Sequence, residues 1–469
     1  MTEPQRRTRP GSTDVQVLMA EILINAFHMN TVGHQSPGLW THPRDRSRNY
    51  TDLAYWVDLA RTLERGLIDG LFLADVLGVY DVYAGSPEAA LRNGIQIPVN
   101  DPSLLIPAMA LVTENLGFGV TCTLSFEPPY PFARRMSTLD HLTKGRVGWN
   151  VVTGYLDSAA KGMGDRAQVA HDTRYDMAED YIAVVYKLWE GSWEDDAVLA
   201  DKTARVFADP AKVHRVTHDG PYYKLDAMHL SEPSPQRTPV LYQAGASGRG
   251  RQFAAGHAEC IFINGPTKAS IKPYVTDLRE RARVAGRDPA DLKILALATP
   301  IVGRTSAEAQ AKHADYKRYV SHEGALALMS GWTGVDFSKL GLDDVVRYVK
   351  TDANQSALET FTKTEPGRKW TVREIAEKVA IGGRSPLMVG SAAEVADEMI
   401  GWVDETGIDG FNLAYVVSPE SFTDLVDLIV PALQSRGRFK TAYRPGTLRE
   451  KLGGQARLPA SHPAAGYRR

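Results

Sequence analysis

An α/β protein built as one closed (β/α)8 barrel, the TIM-barrel architecture, is what the sequence predicts, and three observations carry that expectation. Short apolar runs alternate along the chain with segments whose apolar residues recur at helical spacing. Most of the short runs are continuously apolar, as in parallel strands covered on both faces. Eight such strand–helix units fit into 469 residues, which favours a closed barrel over the alternative, an open doubly wound sheet.

The units follow in order. "ILINAF" (22–27) is the first strand, and "DLAYWVDLARTLERGL" is a helix stopped near Gly66. "GLFLAD" (70–75) is the second strand. "DPSLLIPAMALVTENLG" opens on an Asp N-cap followed by Pro, which predicts a helix over 101–117. "FGVTCTLS" is a strand, "YPFARRMSTLDHLTKG" a helix and "RVGWNVVTG" (146–154) the fourth strand. "RYDMAEDYIAVVYKLWEG" predicts a helix over 174–191 with an apolar, aromatic face. "PVLYQAGA" is the fifth strand, followed by a glycine-rich turn and a helix. "ECIFING", "DLKILALATPIVG" and "GFNLAYVV" are the remaining strands, with helices between and after them.

The remaining length defines the domain plan. Residues 1–20 form a polar tail, 21–445 a single barrel domain, and 446–469 a basic, proline-bearing extension expected to drape over a neighbour or another subunit. Insertions fall at 76–100, 155–173, 192–238 (with a hairpin around "HDGPY") and 321–386. Insertions that follow barrel strands lie at the C-terminal face, where barrel enzymes keep their chemistry.

Composition excludes several classes. Hydrophobic residues make up 43% and charged residues 23%, with a net charge of −2, so neither a nucleic-acid nor a membrane partner is expected. No apolar run approaches the ~20 residues of a membrane span. The first 14 residues lack the apolar core of a secretory signal, and Cys122 and Cys260 sit in apolar runs as structural thiols. A cytoplasmic protein is the expectation.

If the barrel is right, the mouth is lined by Asn25 and His28, Asp75, Thr121 and Thr123, Asn150 and Thr153, the turn after the fifth strand, and Asn412 and Tyr415. This ring is polar with one carboxylate and no metal-ligand cluster, so no metal is expected. No G-x-S-x-G occurs, and Ser247 has no evident His and Asp partners, which argues against a hydrolase. A site short of its own acid–base groups suits a bound cofactor, and an amide- and hydroxyl-rich mouth suits a planar heterocycle such as an isoalloxazine. In "QAGASGRG" (243–250), Gln243, Ala246, Ser247, Gly248 and Arg249 are then candidates to hold its phosphate at a helix N-terminus. The plainer alternative is a glycine-rich turn that only lets a helix pack closely. No G-x-G-x-x-G dinucleotide fingerprint follows any strand.

Several longer motifs resemble a family. "DGLFLADV", "TLDHLTKGRVGWNVVT", "HDTRYDMAEDY", "VFADPAKVH", "SPQRTPVLYQAGASGRG" and "GFNLAY" are similar to the flavin-dependent monooxygenases of the bacterial-luciferase superfamily, over about residues 20–455. The likeness is to the branch that includes nitrilotriacetate, pristinamycin and dibenzothiophene-sulfone oxygenases. Within it, "HQSPGLWTHP", "SGWTGVDF", "KWTVREI" and "HPAAGYR" look most like the dimethyl-sulfide-oxidising members.

The resemblance implies a luciferase-like barrel, reduced FMN (FMNH2) as a diffusible co-substrate, O2 activation through a flavin C4a-(hydro)peroxide and a separate NAD(P)H:FMN reductase. It also implies a homo-oligomer, a dimer or tetramer. It places Asp75 and Thr121 along the flavin ring, Asn150 close to it, His171 and Tyr175 at the ribityl phosphate, and Ser247 with its neighbours on the phosphate. His28 and His34 are the catalytic candidates on the substrate side, each equally readable as a structural histidine. A small organosulfur compound such as dimethyl sulfide, oxidised with C–S cleavage, is the first choice of substrate. Sulfone-oxidising relatives are expected to carry His where this chain has Trp332. The alternatives are an aminopolycarboxylate monooxygenase, a deazaflavin-dependent dehydrogenase and a flavin-binding protein without oxygenase activity.

Overall fold

A computed structural model describes residues 20–245, 247–349, 351, 353, 355–362 and 368–469. Eight strands close into a barrel: β1 (Leu23–Met29), β2 (Gly70–Ala74), β3 (Gly117–Thr123), β4 (Val147–Val152), β5 (Val240–Gln243), β6 (Cys260–Ile263), β7 (Lys293–Gly303) and β8 (Gly410–Ala414). Each pairs in parallel with the next, and β8 returns to β1 with Asn25 opposite Asn412. These are the eight strands expected from the sequence. Seven helices matter below: α1 (Leu53–Arg65), α2 (Pro129–Leu142), α3 (His171–Gly191), α4 (Gly248–His257), α5 (Lys268–Val284), α6 (Ser306–Tyr316) and α7 (His322–Thr333).

Alternation along the strands decides what fills the barrel. Phe27, Phe72, Phe262 and Tyr242 point inward and form one aromatic layer, with Phe72 and Phe262 centroids 4.3 Å apart and Tyr242 stacked on Phe262. Gly119 and Gly148 face them because a Cβ there would lie 2.8 Å from the Phe72 ring and 2.3 Å from the Tyr242 ring. The layer is a solid plug, so ligands are confined to the C-terminal mouth. The outward residues pack on the helices, as Trp149 does against Phe132 and Trp189.

The structure departs from the sequence-based elements in four places. The helix expected over 101–117 is two short pieces, Pro102–Leu105 and Ile106–Leu111, because Pro107 removes a backbone donor where a continuous helix needs one. Helix α3 begins at His171, inside the insertion assigned to 155–173. The segment after β8 is broken by a π-turn at Leu425–Ile429. An extra strand, Leu387–Ser391, pairs with the distal half of β7 from Thr299 to Gly303, above the barrel proper.

Residues 192–238 contain two hairpins, one of them Val216–Asp219 with Lys224–Ala227. The segment from 446 folds back on its own barrel. Leu448 joins Val240, Tyr242 and Cys260 in the floor, and Arg449 pairs with Glu259 at 2.7 Å while donating to the Gln236 and Thr238 carbonyls. Among the described residues no helix is long and apolar enough to cross a membrane.

Candidate active site

A cavity of about 250 Å³ opens at the C-terminal mouth. Asp75, Thr121 and Gln243 line it over the barrel axis. Val76, Leu77, Phe126 and Tyr155 supply its apolar and aromatic wall, and Ala353 from the 321–386 insertion reaches its rim. Its other end is made by His171, Arg174, Tyr175, Gly245 and Ser247.

That second end gathers hydrogen-bond donors of a kind that would suit an anion. Ser247 is the N-cap of α4 and its hydroxyl accepts from the Gly250 N–H at 3.0 Å, leaving the hydroxyl proton free to donate. The Tyr175 hydroxyl lies within hydrogen-bonding reach of Ser247 and Gln243, and burial pushes its pKa up, so it stays a donor. A Cβ on Gly250 would sit 2.7 Å from that hydroxyl, and one on Gly245 would sit 2.2 Å from Gln243 Nε2. The glycines are therefore needed for a close approach, and the helix N-terminus faces the same space. His171 and Arg174 face it from the first turn of α3, whose start at residue 171 is what brings them there.

The ring end differs in character. Burial, with Asp101 nearby, raises the Asp75 pKa to about 7, so near neutrality its carboxyl can donate as well as accept. Asn150 donates to Thr121 Oγ1 at 2.9 Å, and its buried Oδ1 has no partner among the described residues. Beyond Tyr155 the wall continues through a hydroxyl pair: Tyr155 and Tyr80 are 2.6 Å apart, and Tyr80 donates to Gln96 Oε1 at 2.9 Å. Burial raises Tyr155 to about 12, so the pair stays protonated.

The site candidates read from the sequence separate into three groups. Asp75, Thr121, His171, Tyr175, Gln243 and Ser247 line one cavity, with Asn150 directly behind Thr121. Gly248 opens α4 next to them, and Ala246 lies outside the described residues. Three candidates, Arg249, His28 and His34, lie outside the cavity lining. Arg249 does not reach the Ser247 end: its guanidinium pairs with Asp176 at 2.8 Å on the outer side of α3, as Arg251 pairs with Asp277.

His28 does not reach the mouth either. It follows inward Phe27 by one residue, so strand alternation turns it outward. It is fully buried among Tyr55, Trp56 and Tyr415, 2.7 Å from the Tyr55 hydroxyl, and burial lowers its pKa to about 3. A histidine held neutral behind the strand has no path to a substrate proton. His34 is inside, edge-on to Phe27 at 4.3 Å and 3.2 Å from Gln35. Burial keeps it neutral as well, and its Nδ1 has no partner among the described residues.

Sequence reasoning missed Arg174, Tyr80, Gln96 and Tyr155. Arg174 is in the quoted "HDTRY" but has no periodic signal of its own, and the others sit in insertions where spacing carries no information. Among the described residues, no group of three or more His, Cys, Asp or Glu side chains is placed to hold a metal.

A closed parallel barrel with hydrogen-bond donors after β5 and a titratable carboxyl over its axis is compatible with a flavin-type oxidoreductase site. A sequence profile of the luciferase-like monooxygenase family matches residues 26–410, and the chain belongs to that family. It is a flavin-dependent monooxygenase. It is 54% identical over 449 residues to a dimethyl-sulfide monooxygenase from Hyphomicrobium sulfonivorans, covering 95% of this chain and 94% of that one. It is 50% identical over 450 residues to a long-chain alkane monooxygenase from Geobacillus thermodenitrificans, covering 96% and 98%. A riboflavin lyase solved with a modified FMN and riboflavin superposes with a TM-score of 0.90 at 37% identity, over 96% of this chain and all of that one.

The residues fit FMN. A phosphate matches the Ser247, Tyr175 and α4 donors, and a ring with hydrogen-bonding edges matches Asp75, Thr121 and the unpaired Asn150 oxygen.

Proposed function

We propose that the chain is the oxygenase component of a two-component system. It takes reduced FMN from a separate NAD(P)H:FMN reductase and uses O2 to oxidise a small organosulfur compound at the carbon next to sulfur. The carrying observation is one cavity with an anion cradle at one end and an aromatic, hydroxyl-bearing compartment at the other. The absence of a dinucleotide fingerprint in the sequence supports an external electron donor.

Bound reduced flavin supplies two electrons and the means of activating O2. The chain's own residues do the rest. Ser247, Tyr175 and the α4 N-terminus hold the phosphate. Asp75 donates to or accepts from the ring edge as pH requires. Tyr80 and Tyr155 present hydroxyls that remain protonated, and Phe126 with the 321–386 insertion excludes water. One oxygen atom enters the substrate and the other leaves as water. An S–CH2OH product collapses to a thiol and an aldehyde, which completes the C–S cleavage. The 54% identity to a dimethyl-sulfide monooxygenase supports sulfur as the reacting neighbour.

The test is a panel of sulfides, alkanes and aminopolycarboxylates with FMN, a generic flavin reductase, NADH and 18O2, read by mass spectrometry. We expect one 18O atom in an aldehyde product, and no NADH oxidation by the purified chain alone. NADH turnover without a reductase, or H2O2 release with every substrate and no labelled product, would refute the reading.

A further inference from the structure

Beyond Tyr155, away from the Ser247 end of the cavity, Arg384 has no counter-charge among the described residues. Arg384 follows two glycines, Gly382 and Gly383, with φ of +73° and +62°. A Cβ on Gly383 would lie 2.3 Å from Gln35 Oε1, so the turn is pressed directly on the compartment wall and only glycine fits there. The guanidinium stands 5.1 Å above the Trp332 ring of α7. Its charge lies close enough to the Tyr80 and Tyr155 hydroxyls to favour their ionised forms. The site is thus shared by the loop after β1, the 76–100 and 155–173 insertions, and α7.

Several buried arginines elsewhere are paired, although Arg287 donates only from Nη1 to the Ala255 carbonyl. Arg438 meets Asp404, Arg449 meets Glu259, Arg237 meets Asp195, and Arg146 donates to the carbonyls of Ala110, Thr113, Leu116 and Thr143. Arg384 forms no ion pair and no hydrogen bond among the described residues, and its Nε is buried without a partner. Burial pulls its pKa down to about 10, so it is still a cation at neutral pH. A half-buried cation whose Nε is shut away from water without a partner among the described residues is costly unless an anion joins it. Trp332 stabilises the charge through its ring face but offers no hydrogen-bond acceptor.

We propose that Arg384 is a substrate-binding residue that pairs with a carboxylate or sulfonate, so that the substrate is a small organosulfur acid rather than a neutral sulfide. This rests on the reading of the cavity as the flavin and substrate compartment. The flavin phosphate is the wrong partner, because its cradle lies at the opposite end with Ser247 and Arg174. The planar guanidinium presents two parallel donors that match a carboxylate or sulfonate edge. With the acid held at Arg384, the thioether carbon is directed back past Tyr155 toward the barrel axis.

Two matched probes test this: (methylthio)acetate and its neutral amide. Binding to FMN-loaded protein is measured by calorimetry without O2, and turnover is measured separately with the reductase. The wild type should bind the acid more tightly than the amide. Arg384→Gln should weaken the acid by about 10- to 150-fold, the range for a hydrogen bond to a charged group, and leave the amide within about twofold. Arg384→Lys should recover part of the loss, and FMN affinity should stay unchanged in both variants, which also shows that they are folded. Equal losses for acid and amide, weakened FMN binding, or no acid preference in the wild type would overturn the assignment. Acid binding that depends on Arg384 but yields no labelled product would uphold the anion site and refute the sulfur-oxidation reading instead.

Discussion

Ser247 caps α4 and, in the function proposed above, also holds the flavin phosphate; a well-chosen pair of variants can pull the two tasks apart. Its hydroxyl oxygen caps α4 by accepting from the Gly250 N–H at 3.0 Å, and its proton is free for a phosphate. Ser247→Ala removes both. Loss of the cap costs about 0.5–2 kcal/mol of stability. Loss of a hydrogen bond to a charged group costs about 1.5–3 kcal/mol, or roughly 10- to 150-fold in FMN affinity.

Ser247→Asp keeps the cap, since Asp is as good an N-cap as Ser, but sets a negative charge against the phosphate. At ~5 Å and an effective dielectric of ~20, each unit of phosphate charge adds about 3 kcal/mol of repulsion. FMN should then bind at least roughly 100-fold more weakly, while the melting temperature of the ligand-free protein stays within a degree or two. Riboflavin, without a phosphate, should bind wild type and Ser247→Asp alike. Fluorescence titration with both flavins and a thermal melt of each protein provide the readout. If riboflavin weakens in step with FMN, or if Ser247→Asp binds FMN as the wild type does, the cradle does not hold the phosphate.

Two further outcomes follow from the electrostatics. Asp75 has a folded pKa near 7 against an ordinary value of 3.8, so it contributes stability that is fully present below pH ~4 and lost as pH rises through 7. Urea unfolding of the ligand-free protein should therefore show Asp75→Asn gaining on the wild type between pH 4 and 7, by up to about 4 kcal/mol for a three-unit shift; parallel curves would contradict it. Arg449→Met strands Glu259 without its cation and should cost about 3–5 kcal/mol. Adding Glu259→Leu should restore most of that in chemical denaturation, and no recovery would show that packing rather than charge is at stake.

The barrel was legible because its signal is repetitive: eight apolar runs, each followed by a helix-period segment, leave few other architectures. The glycine-rich turn that opens α4 at the mouth was legible because glycines before a helix have a physical use. What failed was direction. His28 and Phe27 are neighbours in sequence, and without a register it could not be known which of them faces the interior; pairing of Asn25 with Asn412 settles it. Arg249 looked like a phosphate ligand only while Asp176, 73 residues earlier, was not known to lie beside it. Tyr80, Tyr155 and Arg384 come from three insertions that no periodicity relates, and only the closed barrel brings them together.

The strand Leu387–Ser391 has a consequence for how such a protein can change. It fastens the turn carrying Arg384 to β7 rather than to the insertion that precedes it: Thr299 Oγ1 and Ser385 Oγ are 2.7 Å apart, and the Thr299 N–H donates to the Pro386 carbonyl. The residues between α7 and this turn can therefore be lengthened, shortened or exchanged by recombination while the cation keeps its address on the barrel wall. Access and selectivity become separately heritable, so a new substrate tail can be accommodated by altering the cover alone, with the recognition point for the head left untouched.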